Sequence, residues 1–404
     1  CLRGFVTLWQ SKPTLLATLF IHAHLSTSLP AFILALMNNI ATQTIDLAIQ
    51  IQQIPAPTFS EGQRAEFTRD LFLKENLKDV SMDSLGNVYA RLPGKQKKAK
   101  PLIVSAHLDT VFPTSISLQV KKEAGRIVAP GIGDNSLGVA ALFGILWSLR
   151  ERNISLQHDL WFVANVGEEG LGDLRGMRAV MERFGANVIG YLVLEGLALG
   201  HVYHRAIGVR RYRISVKTAG GHSWSDYGKP SAVHELANLV TQFAGIRLPR
   251  EPRTTLNVGT IHGGTGINVL ASESKCELDL RSEDPKTLLK LIHQVEDLLK
   301  DSDRPGVRVL AEIIGERPAG EIPADHPLVK LAVDCTREQG LESALTSGST
   351  DANIPLSSGI PSVVMGITTG GSAHTPQEFM EVDPVEKGME ALVRFVELVG
   401  ERSE

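Results

Sequence analysis

Four short apolar runs, each closed by turn residues, constrain this chain more than any other feature: Leu102–Ser105, Leu160–Ala164, Tyr191–Leu194 and Ser362–Gly366. Runs of this length without polar alternation suit strands buried on both faces, and such strands belong to parallel sheets. Between the first two lies Leu137–Leu149, apolar at helical spacing and opening behind Asp134 and Asn135, residue types that favour a helix N-terminus. Strand alternating with helix predicts an α/β fold, a doubly wound and mostly parallel sheet. Upstream, Ile45, Leu47, Ile49 and Ile51 carry an amphipathic helix signal and Ala65–Leu77 another. Asn87–Leu92 reads as a strand and the basic stretch Gly94–Lys100 as a solvated hairpin end.

From Gly208 the pattern changes. Arg211–Thr218, Thr254–Ile261, Glu273–Leu280 and Val307–Ile314 read as strands, with helices at Ala232–Phe243 and Pro285–Leu299. The order β-α-β-β-α-β is that of a small α+β ferredoxin-like layer. The expectation is one α/β domain in two parts, 37–207 and 311–404, interrupted by an inserted domain over 208–310. Helix 327–338 resumes the first domain and a helix from Val385 to Val399 closes it. Residues 1–36 stand apart. Their apolar runs, Leu15–Ile21 and Leu29–Met37, are shorter than the ~18 residues a membrane span needs. Arg3 and Lys12 before an apolar stretch admit a signal-peptide reading, but no clean small-residue cleavage site follows. Since the chain from Met37 reads as an ordinary start, residues 1–36 read as a leader or misplaced start outside the fold.

Composition narrows the partners. Among 404 residues, 41 are Lys or Arg and 45 Asp or Glu, for a net charge of −4, and no basic block marks a nucleic-acid or membrane surface. The three cysteines, Cys1, Cys276 and Cys335, are scattered without CxxC spacing, which fits a reducing, cytoplasmic setting and neither a disulfide framework nor a thiolate metal site.

The acids and histidines fall where chemistry would need them. Ala106-His107-Leu108-Asp109-Thr110, Gly167-Glu168-Glu169-Gly170, Glu195-Gly196 and Gly370-Gly371-Ser372-Ala373-His374-Thr375 each follow the carboxyl end of an expected buried strand, and Gly131-Ile132-Gly133-Asp134-Asn135 opens a helix. Ligands of open α/β sheets bind at that edge. Taken singly, His107 reads as a satisfied loop histidine, Asp134 as a helix cap and Glu168–Glu169 as solvated surface. Together, two imidazoles and several carboxylates beside glycines that admit close backbone approach suit divalent metal, Zn(II) first, with Mn(II) or Co(II) as looser occupants.

The segments SAHLDTV (105–111), GIGDNSLG (131–138), GEEG (167–170), LEG (194–196) and SAHTP (372–376) resemble the co-catalytic zinc hydrolases that include aminoacylase, carboxypeptidase G, acetylornithine deacetylase, succinyl-diaminopimelate desuccinylase and peptidase T. The resemblance spans roughly residues 40–400. It implies a catalytic domain with an inserted lid and dimerisation domain, and two divalent metal ions per subunit. His107 and Glu195 would hold one metal, Glu169 and His374 the other, with Asp134 bridging them through a cis Asp134–Asn135 peptide. Asp109 would accept from the far nitrogen of His107 and fix its tautomer. Glu168 would be the general base for a metal-activated water attacking an amide or peptide bond of a small peptide or N-acyl amino acid.

The resemblance also gives His222, in Gly220-Gly221-His222-Ser223, a role as oxyanion donor to the partner's site in a homodimer formed through the lid. Asn268 and Arg281 resemble residues that hold a substrate carboxylate or carbonyl. Their plainer readings are a turn cap for Asn268 and a pair with Glu283 or Asp284 for Arg281; His222 alone reads as a loop histidine. Ser347–Thr350 and Gly370–Ser372 are glycine-serine loops able to offer backbone N–H groups, whereas His201 and His204 lack carboxylate companions and read as structural. Trp224 and Tyr227 stand where relatives commonly carry smaller polar residues, and Asp173 and Arg175 are expected to pair locally. Two other classes compete: a metal-bound protein without activity, which would bind metal and turn over no amide, and a neighbouring co-catalytic zinc aminopeptidase, which would lack the insert.

Overall fold

The structure, a computed structural model, describes residues 40–400; the expectations for residues 1–36 lie outside the described residues. In chain order the main strands are β1 (Lys78–Met82), β2 (Val88–Leu92), β3 (Leu102–His107), β4 (Leu160–Asn165), β5 (Gly190–Glu195) and β6 (His201–Ala206). Then follow β7 (Gly208–Thr218), β8 (Thr254–Gly263), β9 (Glu273–Ser282), β10 (Val307–Arg317), β11 (Gly320–Glu321), β12 (Ala344–Gly348) and β13 (Ser362–Gly366).

All four apolar runs are strands, and they lie side by side. The large sheet has the order β1-β2-β4-β3-β5-β13-β6-β11, with β12 on β6. The neighbours β4, β3, β5 and β13 run parallel, while β2 on β4 and β6 on β13 are antiparallel. Every residue of β3 and β13 is buried, which is why their sequence shows no polar alternation. The helix Gly138–Glu151 packs on this sheet and is buried on nearly all sides. Its extension back to Ile132 is apolar enough to pass for a membrane span, but 89 % of that window is buried inside the molecule, as a core helix requires. Phe143 stacks on Phe72 at 4.7 Å, and full burial of each such ring is worth about 1.5–3 kcal/mol.

The expected hairpin at Gly94–Lys100 is absent. β4 lies between β2 and β3, so this stretch crosses the end of β4, where Lys95 and Gln96 donate to the carbonyls of Leu156 and Gln157 (3.0 and 2.8 Å).

Strands β7–β10 form a separate antiparallel sheet, ordered β8-β9-β7-β10, with the helices Ala232–Ala244 and Pro285–Ser302 and a second apolar core around Leu239, Phe243, Leu280 and Val295. The split β-α-β connection places β7 between β9 and β10, the ferredoxin-like order. A boundary at 310 falls inside β10, which stays paired to β7 as far as Arg317 opposite Val209. That extra length carries Arg317 back to the large sheet.

Candidate metal centre

Each acid or histidine singled out above at the carboxyl edge of the large sheet reaches one cavity of about 490 Å³, except Asp109, which is fully buried beside it. His107 ends β3 and Glu195 ends β5, two adjacent parallel strands. Glu168 and Glu169 follow β4 behind Gly167, whose φ of +68° is open to glycine at little cost. Asp134 sits in an irregular turn before the helix Gly138–Glu151, and its peptide bond to Asn135 is cis. Neither Asp134 nor Asn135 caps that helix. Asn135 instead donates to the Leu194 carbonyl (2.8 Å) and accepts from Gly196 N–H (3.1 Å), tying the Asp134 turn to the end of β5. Gly196 is required there, since a Cβ would lie 2.0 Å from the Gly133 carbonyl oxygen.

The central geometry belongs to Asp134. Its Oδ1 lies 3.1 Å from His107 Nε2 and its Oδ2 3.1 Å from His374 Nε2. His107 Nε2 is also 3.9 Å from Glu195 Oε2, and His374 Nε2 is 3.1 Å from Glu169 Oε1. Two triads result, His107–Asp134–Glu195 and Asp134–Glu169–His374, each with donor atoms within 4.8 Å of one another; His107, Glu168 and Glu169 form a third such group. His374 holds its place with φ at +65°, a backbone state that costs a non-glycine residue on the order of 1–3 kcal/mol and clusters at functional sites.

The electrostatics match the crowding. Burial pushes the Glu168 carboxyl up to about 8 against the pull of Arg317 and His107, and it drives Glu195 well above the usual carboxylate range. Hydrogen bonds that its ring donates to Asp134 and Glu169 raise His374 to about 10. Burial alone would lower His107, yet Asp109 and Asp134 carry it well above its ordinary value. Two imidazoles crowded among several buried carboxylates make a donor set that fits a pair of divalent cations.

Asp109 stands beside the far nitrogen of His107: its carboxylate lies 3.6 Å from Nδ1, with its backbone carbonyl nearer at 3.1 Å. The Asp109 carboxylate accepts chiefly from Glu168 N–H (3.0 Å), Glu169 N–H (2.9 Å) and Thr58 Oγ1 (2.9 Å), so it pins the loop carrying both glutamates. Arg281 pairs with Asp279 (2.7 Å), not with Glu283 or Asp284, because its strand neighbour two residues back projects from the same face. Glu283 accepts from Ser347 and Asp284 caps the helix Pro285–Ser302. Asp173 and Arg175 do not pair: Arg175 grips Glu61 (2.8 Å) and stacks on Phe59, while Asp173 accepts from Glu316 N–H (2.8 Å). The Thr350 N–H is taken by Asn353 Oδ1 (2.9 Å).

Arg281 lines the cavity, whereas His222 and Asn268 do not. These two lie at the tip of the inserted sheet, where the two-residue strand Gly221–His222, its histidine exposed, pairs with Val269–Leu270. His204 is buried and bonded to the Ile322 carbonyl (2.7 Å), a structural role.

Two further residues were not legible. Arg317 ion-pairs with Glu168 (2.9 Å). Glu378, wholly buried, accepts from the N–H groups of Gly131 (3.2 Å), Gly133 (2.8 Å) and Asp134 (2.9 Å). Its own backbone N–H donates to the Thr375 carbonyl (3.0 Å), so one residue joins the turns that present Asp134 and His374. Its place four residues after His374 was the only hint in the sequence. Glu378→Ala is expected to weaken metal binding about 10–100-fold, the usual cost of losing an outer partner of a ligand, as read by competition with a chelator.

The fold and site define a metallohydrolase acting on peptide bonds. Residues 103–398 match Peptidase family M20/M25/M40, and the chain belongs to that family. It is 24 % identical over 364 residues to the uncharacterised protein YqjE of Bacillus subtilis (strain 168), covering 86 % of this chain and 96 % of that one. Its structure is similar to that of a tripeptidase from Staphylococcus aureus (TM-score 0.77, 22 % identity, 89 % of this chain and 99 % of that chain). It is also similar to the YXEP protein of Bacillus subtilis, described as a dinuclear metal-binding peptidase of the M20 family (TM-score 0.65, 16 % identity, 90 % and 99 % covered).

Proposed function

We propose that this chain hydrolyses an amide or peptide bond of a small peptide or N-acyl amino acid, with two divalent metal ions, Zn(II) first among them, held by His107, Glu195, Glu169, His374 and the bridging Asp134. The observation that carries this reading is the division of Asp134: one carboxylate oxygen faces each imidazole, and each imidazole has a further acid beside it. The description of the YXEP protein as dinuclear supports the same reading. Bound metal would supply Lewis acidity and a water of lowered pKa.

The remaining work falls to the chain. Glu168 reaches the cavity beside both triads and pairs with Arg317 through Oε1, which leaves Oε2 to take a proton from the attacking water and pass it to the leaving amine. Arg281, with 43 % of its side chain exposed at the cavity, is placed to grip a substrate carboxylate. His222 lies on an exposed ribbon outside its own cavity, which favours delivery to a partner's site in a homodimer built through 208–317. A screen of dipeptides, tripeptides, N-acyl amino acids and carbamoyl compounds, with Zn(II), Mn(II) and Co(II) supplied separately, should give chelator-sensitive turnover in at least one class. Bound metal without turnover in any class would instead identify a metal-binding protein.

A further inference from the structure

Strand β10 of the inserted sheet ends beside the acid cluster. Its last residue, Arg317, is 5 % exposed. Its Nη1 donates to Glu168 Oε1 (2.9 Å), to the Ser349 carbonyl (3.1 Å) and to Ser349 Oγ (3.3 Å), while Nη2 donates to the Glu168 carbonyl oxygen. One guanidinium therefore holds both the side chain and the main chain of one glutamate. The geometry points to Arg317 as the positioning residue that sets the Glu168 carboxylate, so that the inserted sheet completes the base. This rests on the role given to Glu168 above.

The backbone of the Glu168–Glu169 loop is already fixed by Asp109, which accepts both N–H groups. What Asp109 leaves undetermined is the Glu168 side chain, with three rotatable bonds among buried like charges at Glu169 and Asp351. Arg317 occupies Oε1 and leaves Oε2 for proton transfer. A substrate-gripping role for Arg317 is disfavoured by its commitments: both Nη groups are engaged and only 6 % of its side chain is exposed. Arg281 differs, bonding Asp279 through Nε and Nη2 and keeping Nη1 for a ligand. The junction has other ties, Arg211 to the Gly170 carbonyl and Arg178 to the Glu316 carbonyl (2.7 Å each), so losing Arg317 should leave the insert seated.

A double-mutant cycle isolates the effect. Arg317→Ala should keep both metal equivalents and a KM within a few-fold of wild type, while kcat falls ~10²-fold, the lower end of a general base's worth. In a Glu168→Ala background the same substitution should cost less than ~3-fold, because the group it acts through is gone. Guanidinium ion should restore part of the activity to Arg317→Ala and none to the double variant. Arg317→Lys, which keeps charge but not the planar fork, should fall between and serves if the alanine variant folds poorly. Equal losses in both backgrounds, or a loss carried by KM, would overturn the proposal while leaving the hydrolase reading intact. A readout independent of turnover is the ¹³C carboxyl resonance of Glu168, identified by its loss in Glu168→Ala. It should move in Arg317→Ala, and an unmoved resonance would equally overturn the proposal.

Discussion

Glu168→Ala is expected to retain both metal equivalents and to lower kcat by ~10²–10⁴ or more, the usual worth of a general base. The reason is geometric. Glu168 bonds Arg317 rather than either histidine, and the triads that share Asp134 do not include it. Glu169→Ala and His374→Ala should behave differently, each losing about one metal equivalent, because His374 and Glu169 lie 3.1 Å apart in the second triad. Metal analysis of the three purified variants separates the roles. Loss of metal in Glu168→Ala would exchange the assignments of the adjacent glutamates.

The second large effect concerns His222. Its Nδ1 already accepts from Trp224 and Ser225 N–H (3.2 and 3.4 Å), which turns Nε2 outward as a donor. Trp224 and Tyr227 beside it are 87 % and 91 % exposed, so the ribbon tip has no cover within the described residues of its own chain. His222→Ala should therefore lower kcat by ~10²–10³, the cost of one oxyanion donor. Mixing inactive His222→Ala with inactive Glu168→Ala chains should restore part of the activity, since one site of the heterodimer pairs an intact Glu168 with the other chain's His222. No recovery despite proven subunit exchange would return His222 to a structural role.

The sequence alone determined the sheet and the position of its working edge. The run Leu102–Val104 is apolar at every residue because β3 is buried on both faces between β4 and β5, and the turn after the strand has to carry the charged group. His107, Glu168–Glu169, Glu195 and His374 were legible for that reason, as acids or histidines placed after such runs. The ferredoxin-like insert was legible too, from the strand periodicity and the amphipathic helix that Asp284 caps.

Only the tertiary structure decided who partners whom at that edge. Arg175 chose Glu61, and Asp109 gave its carboxylate to the Glu168–Glu169 loop, each settled by which groups the packing brought within about 3 Å. Arg317 carries no local signal, and Glu378 only its place four residues after His374, for their partners are 149 and 244 residues away in the chain. A buried charge must find a counter-group wherever the fold places one, and that distance in space is not written in spacing along the sequence. Periodicity fixed which residues face the site; the meeting of two sheets fixed how they are held.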